Sequence, residues 1–256
     1  MTKILILAQH TIKELLRKKD FYILIILFLG LAGFFYGESF FGIKDISRYL
    51  KDIGLSLVGL FSMIITITFS AKQIPAEIET KTIYPLLAKP VSRTQFVLGK
   101  FIGSLFISFI SFTSFYILYL GFIFSKGEAA SLILLSQYYL LSLLLLSMLS
   151  AFALMFSLFL TISANISITF LLYFFMFWYN DALRKTLLLA EGKITLVYNL
   201  LYYILPHFEF FDIRTRIIHL WEPLPFWVVT AISIYSILYI GLLLWLTVLC
   251  FKRKNL

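Results

Sequence analysis

The sequence predicts an all-α integral membrane protein with six transmembrane helices. Of the 256 residues, 61% are hydrophobic and only 14% are charged. The mean hydropathy of +0.95 is higher than a soluble protein of this length needs in order to form its core. Lipid is therefore expected to solvate most of the surface. The apolar residues are also gathered into long runs that polar segments separate.

Six segments are predicted to cross the membrane, because a helix needs about 20 apolar residues to do so. The apolar run 129–180 is too long for one crossing, and its polar cluster 161–165 divides it into two spans. The spans form a single domain over residues 1–256 and are expected at 21–37, 53–71, 98–124, 129–160, 165–180 and 225–251.

The segment before the first span has apolar residues at helical spacing and charged residues on the opposite face. This pattern predicts an amphipathic elbow helix on the inner membrane surface, although a helix that packs on a partner protein remains an alternative. Its apolar residues are Ile4, Leu5, Ala8, Ile12, Leu15 and Leu16.

The basic residues indicate how the chain is oriented in the cytoplasmic membrane. An even number of spans places both termini on one side, and 13 of the 22 basic residues fall on that side. Basic residues favour the cytosolic face, so both termini are expected there. This distribution also explains the net charge of +9 without a nucleic-acid partner. The 13 residues are Lys3, Lys13, Arg17, Lys18, Lys19, Lys72, Lys81, Lys89, Arg93, Lys100, Lys252, Arg253 and Lys254.

The polar segment 72–100 joins the second and third spans and is long for a simple connection. Pro75 suits the first turn of a helix, where Glu77 and Glu79 would face the positive end of the helix dipole. Thr82 can cap a second short helix over 83–88. Together these features predict a cytosolic helix that lies on the membrane surface.

The end of the same segment predicts a defined start for the third span. Pro90 is expected to break the chain. Ser92 and Gln95 have the spacing of a capping box, in which each side chain accepts a hydrogen bond from the other residue's backbone N–H.

The residue order of this segment resembles the cytosolic loop of ABC-2 type permeases, the membrane subunits of ATP-binding-cassette transporters, and most of all the NosY-like subgroup linked with multicopper-enzyme maturation. Lys81 occupies a position where many members carry glycine. The residues that carry the resemblance are Glu77, Glu79, Thr82, Ile83, Leu86, Leu87, Lys89, Pro90, Val91, Ser92, Arg93, Phe96, Gly99 and Lys100.

The resemblance implies a transporter of two six-helix permease chains, identical or related, and two cytosolic ATPase subunits, which exports a substrate. It also implies that residues 75–93 form a coupling loop that docks on the ATPase. Leu86 and Leu87 are then the apolar anchors of the loop. Its polar contacts are Glu77, Glu79, Lys81 and Arg93.

The sequence lacks the elements that would let this chain supply energy or catalysis. It contains no Gly-x-x-x-x-Gly-Lys-Ser/Thr phosphate loop, so ATP and Mg²⁺ are expected on the partner ATPase, with no cofactor on this chain. The predicted spans are almost free of ionisable residues, which argues against a proton-coupled transporter. We therefore expect a non-catalytic subunit.

Two further patterns have alternative interpretations. His207, Glu209 and Asp212 could ligate a metal, although ordinary loop polarity is the favoured interpretation. The third span carries small residues at helical spacing, which predict close helix packing or a polar substrate path, with packing favoured. These small residues are Gly99, Gly103, Ser104, Ser108 and Ser111.

The segment 181–224 is expected outside the cell, with re-entrant or surface-lying helices in its apolar pieces 187–190 and 196–205. Two other functions remain open. One is a mechanotransmitting scaffold that couples an ATPase to an extracytoplasmic partner without classical transport. The other is a lipid-modifying membrane enzyme, for which only the residues His207 to Asp212 offer candidate chemistry.

Overall fold

The computed structural model describes residues 22, 25–30, 33, 46–79, 92–125, 131–187 and 205–253. The predicted elbow helix, most of the first span and the coupling-loop residues 80–91 lie outside the described residues. So do residues 188–204, which include most of the apolar pieces expected before the last span.

Every regular element in this described part of the chain is helical. The helices are α1 (Ile46–Glu79), α2 (Arg93–Ser125), α3 (Leu132–Phe156), α4 (Ile162–Leu187), α5 (Arg214–Ile218) and α6 (Phe226–Arg253), and a 3₁₀ turn (Phe208–Phe211) precedes α5.

Four of these helices are long and apolar enough to cross a membrane: α1 from Lys51 onward, α2, α3 and α6. Helix α4 adds a shorter apolar stretch, Ile162–Met176. The all-α, multi-pass membrane class is confirmed. The count of six spans stays a prediction, because most of the first span lies outside the described residues.

Helix α1 continues well past the expected end of the second span. Pro75 lies inside it, so the prediction that Pro75 opens a new helix is wrong. A proline within a helix cannot bond to the carbonyl four residues earlier, which is that of Ala71. Continued packing offsets this loss, since Ile74, next to the proline, is fully buried. With 34 residues, α1 is about 51 Å long, more than the hydrocarbon thickness of a bilayer.

Helix α2 begins with the predicted capping box. The backbone N–H of Gln95 donates to Ser92 Oγ over 3.2 Å, and the backbone N–H of Ser92 donates to Gln95 Oε1 over 3.1 Å. These bonds satisfy two donors that a helix start otherwise leaves unpaired. The start of α2 is therefore fixed by its own sequence.

The apolar run 129–180 is divided into two helices, as predicted. Helix α3 ends at Phe156, and α4 begins at Ile162. The side chain of Asn165 is fully buried, and its Nδ2 donates to the Ala153 carbonyl near the end of α3 over 2.9 Å. Thr169 then donates to Asn165 Oδ1 over 3.2 Å. The polar cluster thus begins α4 after a turn at 157–160, and Asn165 bonds it to the end of α3.

The core lies between α1, α2 and α3, where aromatic rings pack across helices. Phe28, which lies in the helical residues 25–30, contacts Phe115 of α2 and Phe61 of α1, with ring centroids 4.7 Å and 5.8 Å away. Near the N-terminus of α1, Gly54 allows α2 to approach closely through Tyr119.

Replacement of Gly54 by alanine is expected to destabilise the bundle by about 1–3 kcal/mol, the usual effect of overpacking. A Cβ at Gly54 would lie 2.6 Å and 2.8 Å from two ring carbons of Tyr119, whose ring is only 4% exposed. Gly121→Ala is the matched control, because its Cβ would meet nothing within 4 Å. Thermal unfolding in detergent should give a lower midpoint for Gly54→Ala alone. Equal midpoints for the two variants would contradict the close approach.

Candidate functional site

Three helix ends meet at one end of the bundle: the C-terminus of α1, the N-terminus of α2 and the C-terminus of α6. We call the five side chains that join them the inner clamp. They are Glu77, Arg93, Phe96, Lys100 and Phe251. The inner clamp borders both ends of the coupling loop, since α1 ends at Glu79 and α2 starts at Arg93.

A buried ion pair joins α1 to α2 within the inner clamp. Lys100 Nζ pairs with Glu77 Oε1, and the side chains are only 2% and 15% exposed. The Lys100 ammonium also lies 5.9 Å from the centroid of the Phe96 ring, within the range of a cation–π contact. Lys100 is therefore a buried residue about two turns into α2, whereas the sequence placed it at the end of a polar loop.

Arg93 joins α2 to α6. Its Nη1 donates to the carbonyls of Phe251 and Lys252 over 2.7 Å and 3.0 Å. These carbonyls belong to the last turn of α6, where a helix has unpaired acceptors and the negative end of its dipole. The Phe251 ring stacks on Phe96 with the ring centroids 5.5 Å apart. The Arg93 guanidinium lies 5.6 Å from the centroid of the Phe251 ring. Arg93 thus holds the end of one helix against the start of another.

The inner clamp determines which predicted loop residues have a described position. Pro75 is buried within α1, while Glu79 is exposed at its last position. Glu77 and Arg93, expected as surface contacts for a partner, instead contact other helices of the bundle. The predicted contacts Lys81, Thr82, Leu86, Leu87 and Pro90 lie outside the described residues.

The small residues of α2 lie in helix contacts. Gly99 and Gly103 are both buried. Ser104 Oγ lies 2.7 Å from Ser150 Oγ of α3, and Thr66 Oγ1 of α1 donates to Ser108 Oγ over 3.0 Å. Buried Ser111 donates to the Ile107 carbonyl of its own helix over 2.6 Å.

The sequence analysis missed a polar face on α1. Ser62, Ser70 and Gln73 are all buried with Thr66 on the same helix, and Glu77 follows one turn later. In the part of the chain that the structure describes, the Ser62 and Ser70 hydroxyls and both amide atoms of Gln73 have no hydrogen-bond partner. The spacing of these residues, close to multiples of 3.6, is the signal that could have revealed the face.

At the opposite end of the bundle, the segment 205–225 is held against α1 by a hydrogen bond from Arg214, which is itself paired with Asp212. Asp212 accepts hydrogen bonds from Arg214 Nε over 2.9 Å and from Arg214 Nη2 over 2.6 Å. Arg214 Nη1 donates to Ser56 Oγ of α1. The hydrogen bonds to Asp212 raise the pKa of Arg214 above its ordinary value. The guanidinium therefore stays charged while it joins this segment to α1.

His207 is part of the same segment and lies among aromatic rings. Its ring stacks on Phe210 at 5.0 Å, and its backbone N–H donates to the Tyr235 hydroxyl over 3.1 Å. Burial lowers the pKa of His207. Among the described residues, no three His, Cys, Asp or Glu side chains are grouped as a metal site requires. The proposed ligand set of His207, Glu209 and Asp212 is thus not brought together, and Asp212 binds Arg214 instead.

These features define a multi-pass helical membrane protein in which three helix ends are fastened together at one end of the bundle. The profile of the family described as ABC-2 family transporter protein matches residues 5–256, and the chain belongs to this family. It is accordingly a permease subunit of an ABC transporter, which works with a cytosolic ATPase subunit. A comparison with curated proteins gave no match.

Replacement of Lys100 by methionine is expected to destabilise the chain by about 3–5 kcal/mol, because it leaves the Glu77 carboxylate buried without its counter-charge. The double variant Lys100→Met/Glu77→Gln removes both charges and should recover much of this loss. Lys252→Met is the control, since that side chain is exposed at the same end of the bundle. Unfolding in detergent, followed by circular dichroism, measures all three. A double variant no more stable than Lys100→Met would contradict the importance of the buried pair.

Proposed function

We propose that this chain exports a substrate across the cytoplasmic membrane, using ATP that a separate ATPase subunit hydrolyses. The inner clamp is the observation that carries the proposal. It anchors both ends of the coupling loop in the bundle, through the Glu77–Lys100 pair on one side and the contact of Arg93 with the end of α6 on the other. A force applied to the loop would therefore be transmitted to the helices that the clamp joins.

The clamp also determines which helices move together. The ion pair joins α1 to α2, and Arg93 joins α2 to the end of α6. Closure of the ATPase subunits on ATP would displace these three helix ends as one unit. Structural elements of this kind convert a local push into a rigid-body shift.

Within the coupling loop, the contacts with the ATPase are assigned to residues beyond the clamp. Leu86 and Leu87 are the apolar anchors, with Glu79 and Lys81 as polar contacts, Thr82 as a helix cap and Pro90 as a break. Glu77 and Arg93 have partners inside the bundle, so their role in coupling is to hold the loop ends.

The rest of the assembly follows from the family and the sequence. Two permease chains, identical or related, would combine with two ATPase subunits. Both termini of this chain would be cytosolic. The chain itself would carry no catalytic residue and no cofactor, with ATP and Mg²⁺ held by the ATPase.

A second role, a scaffold that transmits motion to an extracytoplasmic partner as proposed for the NosY-like subgroup, is favoured by one contact. Helix α1 runs without a break from Glu77 in the clamp to Ser56, which accepts a hydrogen bond from Arg214 in the segment 205–225. Movement of the inner end would thus reach the opposite end of the molecule.

Reconstitution of the permease with the ATPase that co-purifies with it distinguishes these roles. Export predicts ATP-dependent movement of a cargo into or out of vesicles, and none with an ATPase variant that cannot hydrolyse ATP. Transmission without transport predicts an ATP-dependent distance change between spin labels on 205–225 and the exposed middle of α6, with no cargo moved. ATP turnover that causes neither effect would overturn both roles.

Leu87→Asp is expected to reduce co-purification of the ATPase at least tenfold, because a charge replaces an apolar anchor in the docking groove. Leu87→Met is the matched control and should retain binding, since methionine conserves an apolar side chain of similar size. Quantitative pull-down from detergent extracts measures the ratio of the two subunits. Equal recovery with Leu87→Asp and Leu87→Met would refute the assignment of Leu87 as an anchor.

A further inference from the structure

A cavity of about 180 Å³ lies between α1, α2, α3, α4 and the segment 205–225. A cavity near 150 Å³ already accepts a molecule as large as benzene. The space is below the range of complete drug-sized sites, so it fits part of a ligand. Its lining residues are Leu55, Ser56, Gly59, Leu60, Met63, Phe112, Tyr138, Ser142, Leu145, Leu146, Leu149, Tyr173, Phe174, Phe211, Asp212 and Arg214.

The wall of this cavity changes from polar to apolar along its length. Ser56, Asp212 and Arg214 line one end. The wall farther along α1 and α3 is formed by Met63 and Leu149. Ser56 and Met63 are seven residues apart on α1, which corresponds to about 10 Å along the helix axis. A ligand that fits this gradient has a polar head and an apolar tail.

The polar end is suited to an uncharged acceptor group. Arg214 and Asp212 compensate each other's charge through paired hydrogen bonds. A guanidinium has five N–H donors. In Arg214, Nε and Nη2 each donate to Asp212, and Nη1 donates to Ser56. Nη1 and Nη2 each carry a second N–H that these bonds do not use. This N–H can donate to an ester or hydroxyl oxygen of a ligand.

Exposed apolar side chains also line the cavity. Leu60 of α1 and Phe174 of α4 line it while remaining 42% and 54% exposed. Leu60 lies on a helix long enough to cross a membrane and Phe174 on the apolar stretch Ile162–Met176, so a bilayer would contact both side chains. In contrast, Met63 and Leu149 are 5% and 0% exposed, so a lipid can reach them only through the cavity.

From this geometry we propose that the cavity binds an ester-linked acyl chain. The ester lies at Arg214 and the upper part of the chain lies against Met63 and Leu149. The ligand enters sideways past Leu60 and Phe174. Its source is a membrane phospholipid or a single-chain amphiphile, since the two share the ester and the chain. The site does not depend on the proposed function, because binding here requires neither ATP nor a partner subunit.

Photolabelling of the purified full-length chain tests this site. The probes are phosphatidylcholine and monoacylglycerol, each with a diazirine in the upper half of the acyl chain, in nanodiscs without nucleotide. Mass spectrometry of the labelled peptides should find adducts on Met63 or Leu149. Labelling by phosphatidylcholine identifies a membrane lipid as the ligand, and labelling by monoacylglycerol alone identifies a single-chain amphiphile. Adducts confined to outward-facing residues with both probes would overturn the proposal.

Two variants that obstruct the cavity make the test specific. Ser142→Phe fills its middle. Leu60→Trp narrows its mouth at an exposed position, where folding should be unaffected. Each should reduce labelling of Met63 and Leu149 at least fivefold. Leu238→Trp is the control, because Leu238 is 68% exposed on α6 and lines no part of the cavity. Undiminished labelling in the correctly folded Leu60→Trp variant would also overturn the proposal.

Discussion

The buried pair of Glu77 and Lys100 is the interaction on which the inner end of the bundle depends. Two charges removed from water require each other, because loss of one partner leaves the other without compensation. Their attraction therefore fixes the relative position of α1 and α2 near the last residue of α1 and within the first two turns of α2. Such pairs contribute little net stability compared with apolar packing, but they allow few alternative arrangements. For the proposed coupling role, a single defined arrangement is the useful property.

Arg93 extends this constraint to a third helix by a different mechanism. Its hydrogen-bond acceptors are backbone carbonyls of the kind that every helix presents at its C-terminus. The contact therefore depends on where α6 ends and not on which side chains it carries there. Capping by Ser92 and Gln95 adds a local element that stabilises the first turn of α2. A long-range ion pair, a helix-end contact and a local cap thus all act within the first two turns of α2.

The sequence predicted the features that depend on neighbouring residues. The capping box of Ser92 and Gln95 and the break at Asn165 arise from side chains that bond to backbone a few residues away or across one turn. The continuation of α1 through Pro75 could not be predicted in this way, because tertiary packing offsets the local cost of proline. The same limit explains Lys100. Its place in a polar stretch suggested a solvated loop, whereas its partner Glu77 lies on another helix. The cavity near Arg214 likewise combines residues from five elements.

Helix α6 differs from its neighbours in how little of it the bundle covers. Only 22% of its most apolar window is buried, compared with 56% for α1 and α3. Its C-terminal end is held by Arg93. Leu224, two residues before α6 begins, is held by two hydrogen bonds with the side chain of Gln137 on α3. Between these attachments α6 packs along α3, where its Tyr239 ring lies 5.8 Å from the ring of Phe152, and much of its remaining surface is exposed and apolar. A change in bilayer thickness would act first on this exposed face, which makes lipid composition a variable in any measurement on this chain.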